Sequence, residues 1–187
     1  MLMLVLLTLE ICLFTNKSIR SSIVEHLYCQ RTKTDEIITF VFPHFDDSIS
    51  LRAETLLRSI IRQSLEFDKM ISKEDIKMLR ALEISYSSID TVKTLLYHCS
   101  SRFSTFYIII DALDEFDKDE LQILFEGLSH IATSSTARFK VKLFLVGRDS
   151  ISRNIRKRFP VSYYKSADCL QVQSDIAAYM KETITKK

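Results

Sequence analysis

A short apolar run that ends abruptly in acidic residues constrains the fold of this chain most. Residues 107–110 read Tyr-Ile-Ile-Ile and are followed at once by Asp111, Asp114 and Glu115. A parallel strand with both faces covered has such a continuous apolar run. Ligands of parallel sheets bind beyond the carboxyl ends of the strands. We therefore predict a buried strand that brings carboxylates to a ligand-binding edge.

These acidic residues allow two interpretations. A hydrated magnesium ion on nucleotide phosphates takes oxygen ligands and keeps several waters, so carboxylates at a strand end suit it. The same residues could instead cap and solvate the following helix, whose first turn also carries Asp117, Asp119 and Glu120 and gains from negative charge. The run by itself leaves both interpretations open.

Composition narrows the class of protein. The chain has 187 residues, of which 47% are apolar and 27% charged, which is ordinary for one globular domain with a hydrophobic core. Its net charge is only +2, so we expect no nucleic-acid partner. The basic residues cluster locally, and we interpret that cluster first as a solvated helix face and second as a phosphate contact. Its members are Arg148, Arg153, Arg156, Lys157 and Arg158.

The cysteines, the histidines and the first residues bear on compartment. The 4 Cys and 4 His are scattered without ligand spacing, which predicts reduced thiols in a cytoplasmic protein and no zinc site. Residues 1–14 are nearly all apolar but have no basic n-region, and Glu10 interrupts them. They are too short to span a bilayer. We predict a buried first strand there, with a weak membrane anchor as the second reading.

Apolar spacing predicts the order of elements. Strands alternate with helices, which predicts an α/β three-layer sandwich with a mostly parallel five-stranded sheet, because parallel neighbours need crossover connections. We assign residues 1–187 to a single domain. The predicted strands lie at residues 1–13, 36–45, 106–110, 140–146 and within 163–172. The predicted helices lie at residues 19–27, 51–67, 73–82, 88–99, 121–131, 151–159 and 174–184.

Several motifs, in this order, resemble the NACHT class of STAND P-loop NTPases, and most closely the nephrocystin 3-like N-terminal domains abundant in fungi. The resemblance covers nearly the whole chain, and the ordered set is more specific than any one motif. The motifs are Ile23-Val24-Glu25-His26-Leu27, the aromatic strand at residues 38–45, the helix at residues 53–63, Ile110-Asp111-Ala112-Leu113-Asp114-Glu115, Val146-Gly147-Arg148, and Asp175-Ile176 with Tyr179.

The resemblance implies a sheet of the P-loop NTPase type, with ATP or GTP and magnesium as its ligands. Asp111 matches the acid of the Walker B motif that holds magnesium, usually through a water. Glu115 matches the residue that polarises the attacking water, with Asp114 beside it. Arg148 matches the strand-end position that senses the terminal phosphate. A surface arginine after a strand is the alternative for Arg148.

The phosphate loop departs from the family pattern. The Walker A form Gly-x-x-x-x-Gly-Lys-Ser/Thr aligns on Lys17 and Ser18, with Ser18 as a second magnesium ligand. Asn16 replaces the second glycine and tolerates a left-handed conformation, whereas Ile11 replaces the first and does not. Leu13 and Phe14 would crowd a pyrophosphate. The resemblance with this degenerate loop therefore implies weakened or lost nucleotide binding.

Two explanations fit the altered loop. The chain could be a catalytically dead relative that survives as an interaction or scaffold module. It could also be a truncated or misread frame, which we favour because the mismatch is confined to the first residues. By the same reasoning we expect the chain to be a fragment, continued after Lys187 by a helical region and repeats that bind partner proteins or mediate self-association. Our functional prediction is a nucleotide-binding signalling switch with weakened binding, the alternative being the non-catalytic module. A membrane-tethered protein is a third reading.

Overall fold

The computed structural model describes residues 24–25, 27–29, 31, 33–43, 46–67, 72–73, 76–77, 80, 88–134 and 139–160. The strands of this part are β1 (Glu36–Val41), β2 (Thr105–Ile110) and β3 (Lys140–Leu145). Its helices include α1 (Ala53–Phe67), α2 (Ile89–Ser100), α3 (Lys118–Thr133) and α4 (Ser152–Arg158). Short 3₁₀ turns lie at Leu113–Glu115 and Asp149–Ile151.

The three strands form one parallel sheet in the order β1-β2-β3. Val41 pairs with Ile110, and Ile110 pairs with Leu145, so the three carboxyl ends are level. This arrangement confirms the predicted α/β class and the strands expected at residues 36–45, 106–110 and 140–146. The first ends earlier than expected, at Val41, because Pro43 has no N–H for a ladder. The strands predicted at residues 1–13 and 163–172 lie outside the described residues, so the five-stranded sheet stays a prediction.

Alternate residues of the sheet enter two separate apolar clusters. Ile108 and Ile110 belong to the larger cluster, together with α1, α2 and α3. Ile109 belongs to the smaller one, with Ile38 and with Leu27 of the helical residues 27–29. Successive strand residues point to opposite faces, so apolar cover lies on both faces of β2. That double cover is why the strand reads as an unbroken apolar run.

The helical stripes predicted from sequence are confirmed in the core. In α1 the buried apolar residues are Ala53, Leu56, Leu57, Ile60, Ile61 and Leu65. In α3 the predicted Leu121, Leu124, Leu128 and Ile131 are all buried. The expected basic helix is present as the shorter α4, and its Arg153, Arg156, Lys157 and Arg158 are exposed, as a solvated face requires. The helix predicted at residues 73–82 and the one at residues 174–184 lie largely or wholly outside the described residues.

Two side chains satisfy main-chain groups between elements. The main-chain N–H of Ala53, at the start of α1, donates to Glu120 Oε2 at 2.8 Å, so an acid from the first turn of α3 caps α1. Gln63 of α1 binds both main-chain groups of Phe40, accepting from its N–H at 3.0 Å and donating to its carbonyl at 2.8 Å. The Val41 carbonyl accepts a hydrogen bond from Asp111, the residue after β2. Because successive residues of a strand direct their main-chain groups to opposite sides, those of Phe40 point away from β2, to the outer edge of β1 among the described strands. Gln63 therefore occupies that edge.

None of the helices in the described ranges is both long enough and apolar enough to cross a bilayer.

Candidate functional site

Asp111 is a buried carboxylate at the carboxyl edge of the sheet. It directly follows β2, and its main-chain N–H donates to the Val41 carbonyl at 3.3 Å. The residue is only 8% exposed. Its Oδ1 accepts the Ala112 N–H at 2.7 Å, and a charge-assisted bond of this length fixes the carboxylate. The structure thus places the predicted acid where a parallel sheet binds ligands.

Ala112 turns the chain sharply after Asp111. Its φ of 54° and ψ of 36° are left-handed, and it is the non-glycine residue with positive φ among those described. For an L-residue this conformation costs roughly 1–2 kcal/mol. The cost is offset by the next residue, because Leu113 is fully buried and its N–H donates to the Val146 carbonyl at 3.1 Å. The left-handed conformation of Ala112 therefore lets the turn Leu113–Glu115 bind the main chain just after β3.

Asp114 binds Arg148 through both its carboxylate oxygens. The main-chain N–H of Arg148 donates to Oδ1 at 2.9 Å, and Nε of the same residue lies 3.1 Å from Oδ2. The Asp114 side chain is 9% exposed, whereas that of Arg148 is 79% exposed. A nearly buried acid therefore contacts the main chain and the Nε of an arginine whose side chain is largely exposed.

Gly147 makes this close approach possible. A Cβ at this position would lie 2.6 Å from Ile151 Cδ1, 3.1 Å from Asp114 Oδ1 and 3.3 Å from the Asp114 main-chain nitrogen. Every one of these distances is tighter than an ordinary van der Waals contact. The residue is needed here for lack of space and not for a positive φ, since no described glycine has one.

Glu115 approaches the same arginine more loosely. Its Oε1 lies 3.5 Å from a terminal nitrogen of Arg148, and its side chain is 33% exposed. This separation exceeds the 2.7–3.2 Å of a good N–H to oxygen bond. We call Asp114, Glu115 and Arg148 the acid–arginine cluster. Its two contacts differ, because Asp114 is nearly buried and makes the shorter one, whereas Glu115 is partly exposed and makes the longer one.

Four of the predicted site residues thus meet at one edge of the sheet. Asp111 is joined to the acid–arginine cluster through Ala112 and the following turn. The remaining predicted residues, Asn16, Lys17 and Ser18, lie outside the described residues. Their distance from Asp111 stays untested.

Asp111 is the oriented carboxylate at this edge that could contribute one ligand to a metal ion. In the described residues no group of three or more His, Cys, Asp and Glu side chains could hold a metal ion. Magnesium in phosphate sites uses only one or two carboxylates, and water and phosphate supply the other ligands. A single oriented carboxylate, such as Asp111, fits that role.

Three features were not predicted from the sequence: the left-handed conformation of Ala112, the cap that Glu120 gives α1, and the close contact at Gly147. The spacing of residues gives no sign that Ala112 is left-handed or that Glu120 caps α1. Gly147 did carry a signal, because the chain has only 2 Gly and one of them follows a strand. A rare glycine before an arginine could have indicated a close contact with the neighbouring turn.

The chain matches a protein family over most of its length. The model of the family described as Nephrocystin 3, N-terminal matches residues 15–148, which is more than half of the 187 residues. The chain belongs to the nephrocystin 3 N-terminal family. The matched range contains Lys17 and Ser18, ends at Arg148, and leaves Ile11 outside. No curated protein and no solved structure matches the chain significantly.

Proposed function

We propose that this nephrocystin 3 N-terminal domain is a nucleotide-operated signalling switch of the NACHT, P-loop NTPase type that binds magnesium with ATP or GTP weakly. One observation carries the proposal. A buried, oriented carboxylate, Asp111, lies at the carboxyl edge of a parallel sheet, and an exposed arginine, Arg148, follows the end of the next strand, β3. An acid for the metal and a cation for phosphate are the two charges that a magnesium nucleotide requires.

Each residue has a role in this proposal. Asp111 would hold magnesium through a water, with Ser18 as a second ligand, and the metal would neutralise charge on the phosphates. Lys17 and Asn16 would contact the phosphates from the loop. Arg148 would bind the terminal phosphate, and Glu115 would orient the attacking water with Asp114 beside it.

The altered loop explains why binding is weak in this proposal. Glycines let main-chain N–H groups approach phosphates, and the aligned loop has Ile11 and Asn16 in their places. Leu13 and Phe14 add apolar bulk where the phosphates would lie. Nucleotide exchange or hydrolysis would then shift the domain against its partners.

Isothermal titration calorimetry with Mg-ATP and Mg-GTP tests the proposal. We expect weak binding, of the order of millimolar, which corresponds to about 4 kcal/mol. Asp111→Ala and Lys17→Ala should each abolish it. Asp119→Ala is the matched control, because Asp119 is an exposed acid in the first turn of α3 with no part in the site. Absence of heat at millimolar nucleotide, or equal losses in Asp111→Ala and Asp119→Ala, would contradict the proposal.

A non-catalytic interaction module is the second candidate. The acid–arginine cluster favours it, since Arg148 is already ion-paired with both Asp114 and Glu115. In that case the domain keeps the fold and acts through self-association or partner proteins. Sedimentation analysis with and without nucleotide separates the candidates, because only a switch changes its assembly state when Mg-ATP is added.

A further inference from the structure

The acid–arginine cluster suggests how ligand binding is regulated at this edge, and the inference rests on the nucleotide binding proposed above. We propose that Asp114 is a positioning residue that keeps Arg148 in place, and that Glu115 competes with the ligand for the Arg148 guanidinium. The terminal phosphate of a nucleoside triphosphate displaces Glu115 from Arg148, while Asp114 stays bound. Binding of a triphosphate therefore releases the Glu115 carboxylate.

The geometry of the Asp114 contact favours its persistence when a ligand binds. One of its two contacts is a hydrogen bond from the main-chain N–H of Arg148 at 2.9 Å, so it does not depend on where the guanidinium points. The same loop lies close to the Asp114 main chain, because a Cβ at Gly147 would be only 3.3 Å from the Asp114 nitrogen. The Asp114 side chain is also nearly buried, with 9% exposed, so it has little freedom to leave Arg148.

The Glu115 contact is weak enough for a phosphate ligand to replace it. At 3.5 Å it is too long for a strong hydrogen bond, and both partners are accessible to solvent. Exposed ion pairs contribute about 1 kcal/mol or less. A phosphate offers the planar guanidinium two parallel acceptor oxygens and a higher charge. Phosphate therefore replaces Glu115 and leaves the shorter Asp114 contact intact.

The two acids consequently have opposite effects on affinity. Removing the charge of Glu115 removes a competitor, so triphosphate binds more tightly. Removing Asp114 also removes negative charge, yet it frees the loop that carries Arg148, and triphosphate binds more weakly because the arginine is no longer pre-positioned. A diphosphate lacks the terminal phosphate that binds Arg148 in this proposal, so its affinity does not depend on the Glu115 contact.

Calorimetric titration of the full chain with Mg-ATP and with Mg-ADP tests the exchange. Glu115→Gln should raise ATP affinity about two- to fivefold, the change that corresponds to an exposed ion pair, and change ADP affinity by less than about twofold. Asp117→Asn is the matched control, because Asp117 is an exposed acid near this turn. It should alter both affinities alike, by less than about twofold. The gain from Glu115→Gln should vanish in an Arg148→Ala background.

Asp114→Ala should lower ATP affinity. If this variant does not fold, Asp114→Asn replaces it, since it loses the charge but keeps an oxygen for the Arg148 N–H. An equal gain for ATP and ADP in Glu115→Gln, or a gain that persists without Arg148, would overturn the exchange while the nucleotide function stands.

A measurement without nucleotide separates the two proposals. The guanidinium Nε–H of Arg148 gives a nitrogen-proton NMR signal that can be assigned by its loss in Arg148→Ala. Its solvent exchange should be slow in the unaltered chain and in Glu115→Gln, and fast in Asp114→Ala. If the signal behaves so but no variant binds nucleotide, the proposed function and the exchange both fail, and only the positioning by Asp114 stands. Fast exchange in the unaltered chain overturns the positioning.

Discussion

The two ends of β2 are stabilised by opposite kinds of interaction. At its amino end Phe106 contacts Phe103 with ring centroids 5.8 Å apart, and Phe103 contacts Phe67 at 6.1 Å. We call these three residues the aromatic end. At the carboxyl end Asp111 and the acid–arginine cluster make directed polar contacts. Apolar burial is non-directional, whereas ion pairs are screened by salt and can change partners. The aromatic end therefore stabilises the fold by burial, and the other end does so by contacts that depend on charge and direction.

The largest expected effect lies at the aromatic end. Phe106→Ala should lower the free energy of unfolding by about 3–5 kcal/mol, because Phe106 is fully buried and its loss leaves a cavity. Denaturant titration followed by circular dichroism measures the loss. Phe106→Leu, which retains most of the apolar volume, is the control and should lose much less. A loss below about 1 kcal/mol in Phe106→Ala would break the comparison.

A smaller loss of stability is expected at Gly147, which packs against Asp114 of the acid–arginine cluster. Gly147→Ala should cost about 1–3 kcal/mol, because its Cβ meets Ile151 Cδ1 and the main chain of Asp114. Gly127→Ala is the control. There the new Cβ meets only the Leu57 side chain, at 2.9 Å from Cδ1, and the gain in helix propensity of about 1 kcal/mol offsets that contact. Thermal unfolding of the two variants compares them, and equal losses would show that the approach to Asp114 is unimportant.

The charge of Asp114 should affect stability modestly and in a salt-dependent way. Asp114→Asn should cost about 1 kcal/mol or less at low salt, since Arg148 is largely exposed. The difference from the unaltered chain should shrink at about 1 M salt, where the screening length is roughly 3 Å. Unfolding at both salt concentrations measures this. Phe106→Leu, tested in parallel, should show no such convergence, and a salt-independent loss in Asp114→Asn would point to packing as the cause.

The smallest effect has the opposite sign. Ala112→Gly should stabilise the protein by about 0.5 kcal/mol, because relief of the left-handed strain of about 1–2 kcal/mol exceeds the entropic cost of glycine of about 0.5–1 kcal/mol. Ala132→Gly, in the last turn of α3, is the matched control and should destabilise by about 1 kcal/mol. Thermal unfolding compares the two. Destabilisation in both would mean that Ala112 is not strained.

The apolar pattern of the sequence was sufficient to predict most of the described fold. The run before Asp111 gave the position of β2, and the spacing in α1 and α3 gave the buried helix faces, because burial needs those periods. The boundaries moved by one to several residues where local chemistry decided them, as at Pro43, before which β1 ends at Val41.

The site was only partly predictable. The acids and Arg148 could be chosen because strand ends of a parallel sheet meet at one edge. Their pairing could not, because it depends on the left-handed Ala112 and on the absent side chain of Gly147. These are three-dimensional facts that residue spacing does not encode. For Asn16, Lys17 and Ser18 the placement is still a prediction.

The bond pattern of Gln63 has a consequence for solubility. An edge strand with open main-chain groups can pair with the same strand of another molecule and start aggregation. At Phe40 both groups are already bound by one amide side chain, which imitates the ladder of a neighbouring strand. A foreign strand would have to break two hydrogen bonds before it could add beside β1. Among the described strands, Gln63 thereby hinders the pairing of a foreign strand with β1 at Phe40.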